Sequence, residues 1–336
     1  MAKKQITIPI FIPHMGCPHC CVFCNQWKIS SAEKKPDLNK IKNTIELYLS
    51  RISFSVEKVE LAFFGGSFTA IPFEEQEFFL SAVKPYVDKG VINSIRLSTR
   101  PDYIDNKRLD LLAAYGVSTV ELGVQSFNEE VLKLSERGHG AEDVYKAMEL
   151  LKLYGFRTGI QLMPGLPGDS FFASIDSASS ASTLSPDDVR IYPAVVLKGT
   201  GLARMYSEGK FSPLTIDEAV EVSAAIYKIF MEKEINVIRI GLHPLDFHEE
   251  TVIAGPYHPA LGFLVKSRYK RDILEAAIKK GTIKENQNPL ILVIPSLCAE
   301  EYIGMKKCNI DYIRNLYKNR KVEYVIRDVK SPYIEE

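Results

Sequence analysis

Residues 16–26 read Gly16-Cys17-Pro18-His19-Cys20-Cys21-Val22-Phe23-Cys24-Asn25-Gln26, and four of the six cysteines of the 336-residue chain fall inside this stretch. Two ligand schemes compete for them. Zinc wants four tetrahedral ligands, ordinarily from two C-x2-C pairs set apart by a longer loop. Here the pairs Cys17/Cys20 and Cys21/Cys24 abut, and the neighbouring side chains of Cys20 and Cys21 do not easily converge on one ion. The other scheme takes Cys17, Cys21 and Cys24 as C-x3-C-x2-C, with the aromatic Phe23 just before the third thiolate and Cys20 as a bystander. Three soft thiolates on one loop can hold three irons of a [4Fe–4S] cube, which leaves the fourth iron open to a chelating ligand. The spacing favours the cluster over zinc and over purely structural cysteines.

Upstream, residues 6–12 form an apolar run interrupted by Pro9, with Pro13 directly after it and no small-residue cleavage site. This fits a first β-strand entering a barrel better than a signal peptide. The cysteines are therefore expected in the reducing cytoplasm, where clustered thiols mean metal or catalysis before disulfides. At 46% hydrophobic and 25% charged, the composition is that of a soluble globular protein, not of a disordered, collagen-like or disulfide-scaffold chain. With 42 basic against 42 acidic residues, no global field draws polyanions or anionic membranes. The longest apolar runs, about seven residues, fall far short of the roughly 20 that a membrane span needs, so no membrane partner is expected.

Downstream, short apolar strands at 58–64, 94–98, 119–123, 157–163 and 188–192 alternate with amphipathic stretches at 38–49, 74–87, 106–114, 141–153 and 169–181. In the first of these, Leu38, Ile41, Ile45 and Leu49 share one helical face. Repeated β–α units imply a parallel sheet with helical crossovers, and the six units predict an α/β fold, a partial (β/α)6 TIM-like barrel. A seventh strand candidate, 236–241, follows a long helix at 216–233. The Gly/Pro/His-rich stretch 242–261 then reads as a boundary. Residues 1–245 are expected to form the core, and 246–336 a small C-terminal α/β extension with helices at 266–280 and 311–318 and strands at 289–295 and 322–327.

Active sites of (β/α) barrels lie at the C-terminal ends of the strands. Here those ends carry the cysteine loop, Gly65-Gly66-Ser67-Phe68, Ser98-Thr99-Arg100-Pro101-Asp102, Gly123-Val124-Gln125-Ser126, Met163-Pro164-Gly165 and Tyr192-Pro193. Any one of them is an ordinary βα turn. The whole series, together with the cysteines, is harder to dismiss.

The C-x3-C-x-aromatic-C pattern, placed after a first strand and ahead of a β/α series, resembles the radical S-adenosylmethionine (SAM) superfamily, and the resemblance runs from about residue 6 to about residue 245. It implies a [4Fe–4S] cluster on Cys17, Cys21 and Cys24 whose open iron chelates SAM. Reductive cleavage of SAM then gives a 5′-deoxyadenosyl radical that abstracts hydrogen from substrate, and the protein positions the cofactors. The same resemblance assigns SAM contacts to Phe23, Gly65, Gly66 and Ser67, with the glycines near the methionyl amino group. Ser98 and Gln125 would meet the ribose, Arg137 the carboxylate through a charge-assisted bond, and Leu162 and Met163 the adenine. It also implies an electron donor of the flavodoxin or ferredoxin type.

Within the superfamily, Ser98-Thr-Arg-Pro-Asp102, Gly123-Val-Gln-Ser126, Arg137-Gly-His139, Met163-Pro-Gly-Leu-Pro167 and Lys198-Gly-Thr-Gly201-Leu202 resemble the radical-SAM core of the Elongator catalytic subunit. More distantly the chain is similar to oxygen-independent coproporphyrinogen III dehydrogenase. Three departures bear on the first likeness: the cysteines keep the common superfamily spacing, Ser98 stands where Glu is usual, and the acetyltransferase domain has no room before Glu336. The likeness implies hydrogen abstraction from an RNA (tRNA) nucleotide. The alternatives are small-molecule or tetrapyrrole-type oxidation and, in another class, a non-catalytic zinc or Fe–S binding module. Residues 260–336 hold 15 Lys/Arg against 10 Asp/Glu. Their run Lys266-Ser267-Arg268-Tyr269-Lys270-Arg271 could track RNA phosphates or simply be a solvated helix face. His243, His248 and His258 are expected to be polar loop residues within reach of the barrel mouth, and Cys298 and Cys308 buried apolar thiols.

Overall fold

The computed structural model describes residues 4–18, 21–25, 36–52, 56–242, 251–281 and 288–335. Its main sheet is built from β1 (Lys4–Phe11), β2 (Val56–Phe64), β3 (Ser94–Thr99), β4 (Val117–Gln125), β5 (Arg157–Leu162), β6 (Asp188–Ile191) and β8 (Asn236–Ile240). Every neighbouring pair is parallel, and the strands stand in chain order with β1 and β8 as the edges. The sheet curls into a half-barrel, the partial TIM-like architecture expected from the sequence. It has one strand more than the six-unit reading, because β8 pairs with β6.

Helical crossovers cover the outer face: α1 (Leu38–Ser50), α2 (Phe73–Asp88), α3 (Asn106–Ala114), α5 (Ala141–Leu153), α6 (Phe171–Thr183) and α8 (Ile216–Glu232). Their ends follow from local chemistry. The Asp37 side chain accepts from Lys40 N at 2.7 Å to start α1, and Thr215 and Glu218 form a reciprocal capping box on α8. Strand residues alternate between the two faces. Ile8, Leu61, Phe63, Ile95, Leu97, Val120, Ile160, Val189 and Ile191 are buried in one core with Ile41, Ile45, Phe79, Leu109, Met148, Ile226 and Phe230 of the helices. The intervening residues turn into the lumen.

Two short helices, α4 (Glu129–Leu134) and α7 (Gly201–Ser207), and a small antiparallel ladder of β7 (Val196–Leu197) with β9 (Val252–Ala254) complete the cysteine end. Beyond the half-barrel, α9 (Leu261–Lys280) packs on α8 through Ala224, Leu261 and Val265. It leads into a sheet ordered β11-β10-β12, made from β10 (Leu290–Pro295), β11 (Val322–Arg327) and β12 (Tyr333–Ile334). Leu274, Ile278, Leu290, Leu292, Ile294, Ile310 and Ile313 form its separate core.

Several expectations for this region change. Cys298 and Cys308 are exposed, not buried. Cys298 sits in a left-handed turn before α10 (Ala299–Ile303), and Cys308 opens α11 (Cys308–Leu316), where Asn309 and Ile310 take the inward face. The basic run of α9 is largely paired within the fold. Arg268 binds Glu221 and Asp272, Arg271 binds Glu221 and lies 4.4 Å over the Tyr312 ring, and Lys270 lies 4.9 Å over Tyr302. His258 turns back on its own chain, its Nδ1 accepting from Ala260 N at 3.0 Å; His243 and His248 lie outside the described residues. Among the described residues, no helix is long and apolar enough to cross a membrane.

Candidate active site

A cavity of about 1060 Å³ occupies the inside of the half-barrel. Cys17, Cys21 and Cys24 all line it at the C-terminal end of the strands, with Cys21 buried and the other two half-buried. Cys20 lies outside the described residues. Backbone hydrogen bonds from three distant segments hold the loop. Ser67 N donates to Met15 O at 2.7 Å, Val22 N donates to Ser135 O just past α4 at 3.2 Å, and Leu202 N of α7 donates to Val22 O at 2.6 Å. Asn25 adds a side-chain bond to Lys198 O at 3.2 Å. The Lys198-to-Leu202 motif thus acts as a clamp, and Gly201 lets it close, since a Cβ there would stand 3.2 Å from Val22 Cα. Gly66 has a comparable reason to be glycine: its φ is +53° and a Cβ would meet Met15 O at 2.4 Å.

Of the positions expected to face SAM, Phe23, Gly65, Gly66, Ser98, Gln125, Arg137 and Met163 line the cavity with the cysteines. Ser67 and Leu162 do not. The Ser67 hydroxyl is fully buried, bonded to Thr99 Oγ1 at 2.9 Å and accepting from Arg100 N at 3.1 Å, so it ties β2 to β3. Leu162 is packed into the outer core. Ser98 donates to Glu121 Oε2 at 3.3 Å, and Gln161 Nε2 donates to Gln125 Oε1 at 3.0 Å.

Arg137 is the polar centre of this end. One guanidinium nitrogen donates to Cys21 Sγ at 3.3 Å, another to Gly123 O, and its buried Nε has no partner among the described residues. Behind it, the fully buried Arg100 donates to the Arg137 carbonyl at 2.6 Å and to both oxygens of Asp102. The Arg100–Asp102 and Arg137–His139 stretches therefore lock against each other. His139 accordingly stays neutral: burial, then the charges of Arg137 and Arg100, push its pKa down to about 3 against the opposing bond to Val124 O.

Below the cysteine end the lumen is polar, unlike the packed aliphatic interior usual in closed barrels. Arg96 bridges three carboxylates: Glu60 at 3.0 Å, Asp188 at 3.2 Å and Glu121. Glu121 also receives Arg190 at 3.0 Å, whose other nitrogen donates to Tyr192 Oη at 3.1 Å. Asp188 further accepts from Arg157 at 2.8 Å and Asn236 at 2.9 Å. Burial alone would lower Arg96 and Arg190, but the adjacent carboxylates outweigh it and hold both above the ordinary arginine range. For Asp188, burial alone would raise the pKa, yet the bonds from Arg157 and Asn236 and the charge of Arg96 keep it below the usual carboxylate range. The motif reading missed this network, although four of its six charges sit between apolar neighbours in a strand: Val59-Glu60-Leu61, Ile95-Arg96-Leu97, Val120-Glu121-Leu122, Val189-Arg190-Ile191.

The donor set suits an iron–sulfur cluster: three thiols on one wall, a guanidinium bonded to one of them, and an unpartnered buried N–H on that guanidinium. Among the described residues, no three His, Cys, Asp or Glu side chains close to the spacing of a single ion site.

Comparison with known proteins bears on this arrangement. The Radical SAM superfamily model matches residues 11–173, and the Radical SAM C-terminal domain model matches residues 186–271. The chain is 33% identical over 237 residues to a tRNA uridine(34) acetyltransferase of Methanocaldococcus infernus, covering 65% of this chain and 44% of that protein. It is 29% identical over 198 residues to Elongator complex protein 3 of Homo sapiens, covering 53% of this chain and 36% of that one. The chain thus spans half or less of the length of these curated relatives. Among solved structures, the archaeal Methanocaldococcus infernus Elp3 superposes with a TM-score of 0.66 at 26% identity, over 87% of this chain and 71% of that one.

Proposed function

The chain belongs to the radical SAM superfamily and is an enzyme, and on that footing we propose that it abstracts hydrogen from a tRNA nucleotide. Cys17, Cys21 and Cys24 would hold a [4Fe–4S] cluster, and Arg137, Gln125, Ser98, Met163, Gly65 and Gly66 would face SAM. When bound, the two groups supply one-electron reductive cleavage of SAM to methionine and a 5′-deoxyadenosyl radical, which becomes 5′-deoxyadenosine on taking a hydrogen atom from substrate. The protein's part is to hold that chemistry in place. The clamp at Val22 fixes the cysteine loop, Arg137 brings positive charge to its thiolate side, and the lumen below offers polar groups to orient a substrate.

The observation that carries this reading is the meeting of the three C-x3-C-x2-C thiols and Arg137 on one cavity wall at the strand ends. The tRNA part is supported by the names of the relatives. It would need RNA to be held near the barrel, and Lys279, Lys280, Lys306 and Lys307 are exposed and suited to phosphate contact, whereas Arg268, Lys270 and Arg271 are engaged internally. The electron would come from a flavodoxin- or ferredoxin-type protein. The test is anaerobic 5′-deoxyadenosine formation with dithionite, with and without total tRNA. Cleavage stimulated by tRNA is expected. No cleavage under any reducing condition would overturn the enzyme reading, and cleavage stimulated only by a small molecule or a tetrapyrrole would overturn the RNA substrate.

A further inference from the structure

The charges inside the lumen do not cancel. Among the described residues that line it are six cations, Lys58, Arg96, Arg137, Arg157, Arg190 and Arg239, and three carboxylates, Glu60, Glu121 and Asp188. Every carboxylate is already engaged: Glu60 by Arg96, Glu121 by Arg96 and Arg190, and Asp188 by Arg96 and Arg157. The surplus cations can therefore be named. Arg137, at the cysteine end, bonds a backbone carbonyl and Cys21. Among the described residues, Arg239 donates only to Gly241 O, at 3.3 Å, and Lys58 enters no ion pair. An oxidised cluster with its three thiolates is a monoanion, and SAM chelated through a neutral amino group carries no net charge, so on the reading above the one negative charge falls to Arg137 and leaves Lys58 and Arg239 in surplus.

Lys58 stands near the start of β2, away from the cysteine end, and Arg239 is the second-last residue of β8. Lys58 is on β2, next to the β1 edge, and Arg239 is on β8, the opposite edge. They flank the side on which the half-barrel does not close. Low-dielectric walls around charges of one sign focus the field and raise the local concentration of a counter-charged ligand.

We propose that the substrate presents an anionic group, phosphate or carboxylate, to the open side of the half-barrel, where Lys58 and Arg239 receive it. The inference rests on the site being a cluster-and-SAM site, and it adds the charge of the substrate and the residues that read it.

The test is calorimetric titration of the reconstituted, SAM-loaded holoenzyme with three probes: uridine, uridine 5′-monophosphate and uridine 5′-carboxylate. The charged probes are expected to bind about tenfold or more tightly than uridine, as a charge-assisted contact implies, with the preference shrinking as salt rises. Monophosphate above carboxylate assigns a phosphate, and equal binding assigns any anion. K58Q and R239Q should each cut the preference several-fold and together remove it, while K58R and R239K keep it. Equal affinity for uridine and its charged forms, or a preference that survives in the double Gln variant, would overturn the proposal. Uncoupled 5′-deoxyadenosine formation by the wild-type enzyme separates the two levels: where it proceeds and the charged probes bind no better, the anion site fails and the cofactor reading stands.

Discussion

The cysteine end of the lumen and the charged lumen beneath it are built by opposite means. At the cysteine end, backbone meets backbone: Met15, Val22 and Lys198 are held by main-chain groups or Asn25, and glycines let the segments approach. Beneath it, side chains meet side chains: Arg96, Arg190 and Arg157 span the strands to Glu60, Glu121 and Asp188. A loop held through its backbone leaves its thiols to the ligand. A lumen held by charges gains polarity but depends on each charge finding its partner. The first should therefore fail when an atom is added, and the second when a charge is removed.

The largest expected effect is in the lumen. Arg96→Met takes a partner from three buried carboxylates and leaves Glu60 with no ion pair among the described residues, while Glu121 keeps Arg190 and Asp188 keeps Arg157; breaking a buried ion pair from one side costs about 3–5 kcal/mol. A fall in the urea midpoint of matching size should follow, and a near-wild-type midpoint would show that the network carries no such cost. Next comes Gly66→Ala. A Cβ in the left-handed region costs about 1–2 kcal/mol, and the contact with Met15 O at 2.4 Å adds to it. Iron retention on reconstitution should drop sharply, with far-ultraviolet circular dichroism unchanged. Gly201→Val should do the same from the opposite flank of the loop, and full iron loading in both would break the contrast drawn above.

An effect that is absent at neutral pH and grows only in acid comes from His139. Its pKa is about 3 in the fold against about 6.5 unfolded, so between those values the unfolded chain binds more protons. Its contribution is complete above pH 6.5 and lost as pH falls toward 3, with a slope of up to about 1.4 kcal/mol per pH unit. His139→Gln should flatten stability against pH across that window. The smallest is Ser170→Ala, which removes the 3.1 Å bond to Ala173 N at the start of α6. About 1 kcal/mol of stability should go, with no change in iron content, since this cap touches neither region.

How much of this was legible in the sequence differs between the two regions for the same reason. Strand ends announce themselves through Gly, Pro and hydroxyl residues, so Gly65-Gly66, Ser98-Thr99 and Met163-Pro164 could be placed at the barrel mouth before any coordinates. The cysteine clamp was less visible: α4 and α7, of six and seven residues, are too short to show a 3.6-residue period. The lumen charges were in plain view but ambiguous, because a charge alternating with Val, Ile and Leu also describes a sheet with one solvated face. Ser67 shows the limit at a single position. From sequence it stands with the cavity glycines, yet its hydroxyl turns away to Thr99 and the backbone of Arg100.

The central claim, that the cysteine loop holds a cluster on which SAM is cleaved, is tested most directly by electron paramagnetic resonance of the anaerobically reconstituted, dithionite-reduced protein, with and without SAM. The account predicts about four irons per chain, a reduced-cluster signal that SAM alters, and its loss in Cys17→Ala, Cys21→Ala and Cys24→Ala but not in Cys20→Ala. One bound zinc per chain, or a signal lost in Cys20→Ala and kept in Cys21→Ala, would contradict it.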